Sequence, residues 1–176
     1  DLKIIDGSGH VVAHDGESLG EIVVRAPWLT QGYLHEPEKG AELWQGGWMH
    51  TGDLASIDPK GRVEIKDRIK DVIKTGGEWI SSLDLENLIS EHPSVISVAV
   101  VGIADEQWGE RPMALVVCVP GHTVDQPMLE AHLLQFVACG RINKWAIPKQ
   151  FDFVAEIPKT SVGKINKKLI RENQRL

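Results

Sequence analysis

Two apolar, β-branched runs, VISVAVVGI at residues 95–103 and MALVVCV at residues 113–119, constrain the fold of this chain more than any other feature. Such runs suit buried strands, where branched side chains pack on the pleated surface. Amphipathic helical patterns lie on either side of them. Ser81 followed by Asp84 can cap a helix whose Leu85, Leu88 and Ile89 fall on one face and which ends at His92-Pro93. Pro127 fits the first turn of a second helix with Leu129, Leu133, Phe136 and Val137 as its buried stripe and Gly140 at its end. A strand FDFV and a short helix from Asn166 follow, separated by the loop IPKTSVGK, and a polar loop from Ala104 to Pro112 is expected between the two apolar runs.

The first third of the chain has a different grammar. From Asp1 to Lys66 short β-prone pieces alternate with turns: LKII, GEIVVRA, a loop rich in Gly and Trp, DLASID and RVEI. The turn Asp58-Pro59-Lys60-Gly61 is a hairpin signal, because Pro presets φ and Gly accepts a positive one. The change to strands mixed with helices places a boundary at Asp67 to Lys70. The expected fold class is α+β: a β-rich part over residues 1–67, a connection at 68–70, and a small mixed α/β domain over 71–176.

The formal charge of −6 argues against a nucleic-acid-binding surface while leaving a nucleotide ligand open. Cys118 and Cys139 have no spacing suited to zinc and read as ordinary thiols in a reducing, cytoplasmic setting; no metal site is expected. No apolar stretch approaches the roughly 20 residues that cross a bilayer. The start, DLKIIDGSGH, lacks the features of a signal peptide and opens abruptly in strand-like sequence, which reads as a piece of something larger.

Four segments carry chemistry: GEI at Gly20 to Ile22 leading to Gly32-Tyr33, WMHTGD ending at Asp53, DRIKDVIKTGGEWISS, and IPKTSVGK ending at Lys164. A carboxylate in a Thr-Gly-Asp turn can accept two hydrogen bonds from a vicinal diol, although a solvated turn aspartate is the plain alternative for Asp53. Arg68 and Lys70 taken alone are charges in a solvated stretch. The pair Gly76-Gly77 permits a tight turn with exposed backbone against which a thin ligand arm could lie, or is simply a turn. Lys164, freed by Gly163, can extend as a point charge towards a developing anion, and acetylation would remove that charge. The full phosphate-loop spacing is absent around it.

Taken together and in order, the four segments resemble the C-terminal third of the adenylate-forming superfamily, which includes acyl-CoA synthetases, luciferase and peptide-synthetase adenylation domains. GGEWISS and Lys144-Trp145 look most like the medium- and long-chain fatty acid–CoA ligases. The resemblance implies that residues 1–67 are the incomplete C-terminal β subdomain of a large AMP-binding domain, that 68–70 is a hinge turning on Lys70, and that the remainder is the small C-terminal domain. It matches Asp53 to the ribose-binding aspartate and Arg68 to an arginine on the same nucleotide. Lys164 matches the adenylation lysine and Lys74 a lysine of the thioester half-reaction. Gly76, Gly77, Glu78 and Trp79 match the loop lining the pantetheine tunnel of CoA. The family's usual glycine before the arginine is Asp67 here.

The implied reaction joins a carboxylic acid to CoA with ATP and Mg2+, through an acyl-adenylate, releasing AMP and pyrophosphate. The N-terminal domain with the phosphate loop and acyl pocket would lie upstream, so these residues alone are expected not to turn over. The resemblance allows a homodimer through that domain. Two alternatives stay open: a non-catalytic nucleotide- or CoA-binding module, and an adenylating enzyme whose acceptor is a carrier protein or oxygen. Three sets of residues are set aside. Trp28, Trp44 and Trp48 read as packing the Gly-rich turns, His35, His50 and His92 show no metal or triad spacing, and Lys167, Lys168 and Arg171 read as a solvated helix face.

Overall fold

The structure, a computed structural model, describes residues 1–174; the last two positions of the expected second domain lie outside the described residues. Its contacts divide the chain into two compact units, Asp1–Lys70 and the residues from Asp71 onward.

The first unit is a four-stranded antiparallel sheet in the order β1-β2-β3-β4, made of β1 (Leu2–Ile5), β2 (Gly20–Val24), β3 (Met49–Ile57) and β4 (Val63–Arg68). Alternation brings Ile4, Ile22, Ala55 and Ile57 onto one face as its core, with Val12 and Val24 packed against them. The Asp58–Gly61 turn joins β3 to β4: Gly61 donates to the Asp58 carbonyl at 2.9 Å, and the Asp58 carboxylate accepts from the Lys60 and Arg62 amides. The expected Gly/Trp loop instead contains a helix, α1 (Pro37–Leu43), started by Pro37. None of its residues is buried, so it leaves no apolar stripe to find in the sequence. Trp44 donates its indole N–H to the Thr30 carbonyl at 3.0 Å, and Trp48 lies against the Lys3 and Arg25 cations. Trp28 does not pack a turn as expected but stands 83% exposed.

In the second unit a short hairpin of β5 (Ile73–Thr75) and β6 (Glu78–Ile80) leads into α2 (Ser82–Ser90). Then come β7 (Val95–Asp105), β8 (Gly109–Cys118), α3 (Gln126–Ala138), β9 (Gln150–Phe153) and α4 (Lys167–Asn173). The strands β7 and β8 pair antiparallel almost throughout, and β8 also takes β5 at Thr75↔Gly109 and β9, in parallel, from Met113↔Gln150 to Val116↔Phe153. The polar loop expected from Ala104 to Pro112 is therefore mostly ladder. Asp105 pairs with Gly109, and the connection shrinks to residues 106–108, because backbone pairing continues past the point where the side chains stop being apolar.

Both faces of this pair are covered. Val98, Val100, Ala114 and Val116 pack with Leu85, Leu88, Ile89, Leu129 and Leu133 under α2 and α3, with Phe136 partly buried beside them. Ala99, Val101, Met113 and Leu115 pack with Ile157 and Ile170 on the α4 side. Ser81 accepts the Asp84 amide, Asp125 that of Met128 and Asn166 that of Leu169, so three helices begin on side-chain caps. Val137, expected in the buried stripe of α3, is only half-buried. His92 and His132, distant in sequence, meet edge to face at 5.3 Å, and burial first, then the second imidazole, holds His92 below its usual pKa.

The basic face assigned to α4 is corrected by the structure. Lys167 reaches Ser82 Oγ and Glu86 Oε1, both at 2.7 Å, with 14% and 12% side-chain exposure for the lysine and the glutamate. Arg171 reaches Asp71 Oδ1 at 2.9 Å, while Lys168 remains 82% exposed. The acids they meet are about 80 to 100 residues away in sequence, where local charge patterning has no reach. Removing one partner of a mostly buried pair leaves the other charge uncompensated. Lys167→Met should cost about 3 kcal/mol in urea unfolding and Lys168→Met less than about 0.5 kcal/mol; equal effects would contradict this view of α4.

Candidate functional site

The residues singled out in the sequence fall into three places. The first is the end of the β3–β4 pair, where register sets Asp53 opposite Arg68. Arg68 Nε donates to Asp53 Oδ1 at 2.9 Å and its Nη2 to the Thr51 carbonyl at 3.3 Å. The aspartate side chain is 31% exposed and the arginine 52%, so the pair presents a carboxylate and a guanidinium to solvent. The segment carrying Asp53 is fixed from β2. Thr51 Oγ1 donates to the Ile22 carbonyl at 2.8 Å, the Gly52 amide donates to Glu21 Oε1 at 2.9 Å, and Glu21 Oε2 meets His50 Nδ1 at 2.7 Å. Neither Glu21 nor His50 carries a sequence signal for this role beyond the place of Glu21 inside the GEI segment. Asp67 is buried and accepts the Arg68 amide at 2.7 Å. Lys70 follows in an exposed turn, at the division between the two units.

The second place is the run Lys74 to Trp79, which is a hairpin and not a loop. Lys74 pairs with Trp79 and Thr75 with Glu78 across a two-residue turn of Gly76 (φ 57°) and Gly77 (φ 88°). Two successive positive φ values are what such a tight hairpin turn requires. A Cβ on Gly76 would also lie 2.9 Å from the Trp108 ring. Trp79 is half exposed, with Lys74 Nζ 5.8 Å from its ring. From elsewhere in the chain, Asn143 Nδ2 donates to Glu78 Oε2 at 2.6 Å, and the Trp108 and Trp145 rings stand 5.8 Å apart.

The third place is the Lys164 loop. Lys159 bridges Ile165, the Thr160 amide donates to the Lys164 carbonyl at 2.7 Å, and the Lys164 amide donates to Thr160 Oγ1 at 3.2 Å. The lysine side chain is left exposed at the tip. This loop leaves the sheet after β9, where the Val154 amide joins the Val116 carbonyl, whereas the Gly76-Gly77 turn meets β8 at Gly109. Those levels are about 23 Å apart along the strand. The chain therefore leaves for the Lys164 loop and forms the Gly76-Gly77 turn towards opposite ends of β8.

Residues 84–164 match the model of the AMP-binding enzyme C-terminal domain. The chain belongs to the adenylate-forming enzymes. It is 45% identical over 97% of its length to a long-chain-fatty-acid–CoA ligase of Thermus thermophilus, and 42% identical over 98% to a 3-methylmercaptopropionyl-CoA ligase of Ruegeria lacuscaerulensis. It spans 31% of the length of each of these relatives. A solved structure of ATP-bound MatB from Rhodopseudomonas palustris is 30% identical, with a TM-score of 0.87 over 99% of this chain and 34% of that one. Among the described residues no helix is long and apolar enough to cross a membrane.

Because the Asp53–Arg68 pair is solvent-exposed, it should add little to folding. Arg68→Ala is expected to change the urea unfolding free energy of the chain by less than about 1 kcal/mol. A loss of several kcal/mol would make the arginine a structural residue.

Proposed function

We propose that these residues serve an ATP-dependent acyl-CoA ligase, in which one cleft runs two reactions by exchanging the two ends of the second unit. In the first, a carboxylate oxygen attacks the α-phosphorus of ATP, the bond to the β-phosphate breaks, and pyrophosphate leaves an acyl-adenylate. In the second, the CoA sulfur attacks the acyl carbon, its proton goes to solvent or a base, and AMP departs with the electrons of the cleaved C–O bond. Mg2+ enters as the complex of ATP.

In this reading Asp53 accepts hydrogen bonds from the ribose hydroxyls and Arg68 lies on the same nucleotide. Lys164 neutralises the charge shared by carboxylate and α-phosphate as they react. The hairpin of Gly76, Gly77, Glu78 and Trp79 lies along the CoA arm, Lys74 assists the thioester step, and Lys70 is the hinge. The observation that carries the proposal is that the chain leaves β8 at Val116 on its way to the Lys164 loop, whereas the Gly76-Gly77 turn meets β8 at Gly109, levels about 23 Å apart along the strand. A sheet that long presents one end or the other to a single adenylate, not both at once. That two relatives of similar identity are CoA ligases, and that ATP is bound in the MatB structure, supports both substrates.

The acid proposed is a medium- or long-chain fatty acid, on the likeness of GGEWISS and Lys144-Trp145 to that branch and on the Thermus relative. The relatives at 42% and 45% identity are named for acids of very different size, so identity across this third of the enzyme does not track the acyl chain. In the whole enzyme, Lys164→Ala should slow acid-dependent ATP–pyrophosphate exchange roughly 10² to 10³-fold while sparing thioester formation from supplied acyl-adenylate. Equal loss of both half-reactions would defeat the exchange of ends.

A further inference from the structure

The hairpin of β5 and β6 is too small to place itself. Each strand has three residues, and the hairpin joins the sheet through the single pair Thr75↔Gly109. Two strands of this length are marginal without outside support. That support comes from the β7–β8 turn. The Gly76 amide donates to the Trp108 carbonyl at 2.9 Å, and the indole ring lies so close over Gly76 that a Cβ would collide with it. Glu110, just beyond the turn, takes the Thr75 hydroxyl on its carbonyl at 2.6 Å and the Lys74 amide on Oε2 at 2.9 Å.

The shape of that turn depends on one carboxylate. Asp105 Oδ1 accepts the Gln107 and Trp108 amides, both at 3.1 Å, and Oδ2 accepts Lys149 Nζ at 3.0 Å. The side chain is 11% exposed, so it sits inside the turn. The Lys149 ammonium, against the effect of burial and aided by the Trp108 and Gln107 amides, holds the carboxyl below the usual aspartate range. Asp105 thus stays an acceptor at neutral pH, and its contacts run in sequence to the Trp108 backbone, to Gly76 and to the hairpin tip.

We propose that Asp105 is a positioning residue for CoA: through the Trp108 turn it sets where the Gly76-Gly77 hairpin stands, and so governs CoA affinity without touching any substrate. The inference rests on the assignment of that hairpin to CoA. It predicts a defect confined to the second half-reaction, since nothing in the relay reaches the Lys164 loop.

The test uses the whole enzyme and measures acid-dependent ATP–pyrophosphate exchange beside the dependence of thioester formation on CoA concentration. Asp105→Ala should raise KM for CoA about tenfold, with exchange and kcat at saturating CoA within twofold of the parent. Asp105→Asn keeps the Oδ1 acceptor but loses the ion pair, and Lys149→Met removes the same pair from its exposed side. Both should raise KM about threefold, and they carry the test should the alanine variant fail to fold. Trp79→Ala, in the hairpin itself, separates the Asp105 relay from the assignment of the hairpin to CoA. If it raises KM for CoA while the Asp105 and Lys149 variants leave it within twofold, the relay is wrong and the CoA assignment stands. If none of the four moves KM, both are wrong. A parallel fall of exchange and thioester formation in the Asp105 variants would make the residue merely structural and overturn the proposal.

Discussion

The antiparallel pairing of β7 with β8 is the constraint on which the second unit depends. The ladder runs from Val95↔Cys118 to Asp105↔Gly109, with one irregularity near its start, and its alternating side chains leave water on both faces. Burying a Val, Leu, Ile or Met side chain is worth about 1.5 to 3 kcal/mol. A two-stranded ribbon with both faces apolar therefore has to be covered twice. The helices α2 and α3 cover one face, and α4 with the segment before it covers the other. Each segment proposed to meet substrate is a by-product of that covering: the Lys164 loop is the approach to α4, and the β5–β6 hairpin is the approach to α2.

Polar contacts then decide how firmly these approaches are held. Lys167 ties the start of α4 to Ser82 and Glu86, and Arg171 ties its last turn to Asp71, immediately after the proposed hinge. The second unit can therefore move as one piece, which a rotation about Lys70 requires. Within that piece the tips differ. The Lys164 loop is closed by its own backbone and Thr160, whereas the Gly76-Gly77 turn borrows its position from Trp108 and Asn143. The first unit follows the same economy, holding its Thr-Gly-Asp segment from β2 through Glu21 and the Thr51 hydroxyl.

Features written in local sequence were legible before the structure. The buried strands, the Ser81 cap, the start of the last helix at Asn166, the Asp58–Gly61 turn and the buried Leu129 and Leu133 each depend on neighbours within a few residues, where periodicity and capping chemistry operate. Features that depend on distant partners were not. Lys167 and Arg171 carry the charge pattern of a solvated face, and only the fold brings Glu86 and Asp71 to them. The strands flanking Gly76-Gly77 are three residues each, too short for a period of two to stand out, and α1 has no buried side to announce it. Asp53 and Arg68 could be named from their motifs, but their register across β3 and β4, and the support from Glu21, lie in the pairing of strands.

The enzyme proposed for this chain activates a carboxylic acid with ATP and passes it to CoA. The most direct test is to supply the whole enzyme with ATP, Mg2+ and CoA, and to measure pyrophosphate, AMP and acyl-CoA over acids from acetate to palmitate. Stoichiometric acyl-CoA and AMP are expected with medium- or long-chain acids, with AMP release that depends on CoA. Pyrophosphate release that ignores CoA, or no turnover with any acid, would contradict this activity.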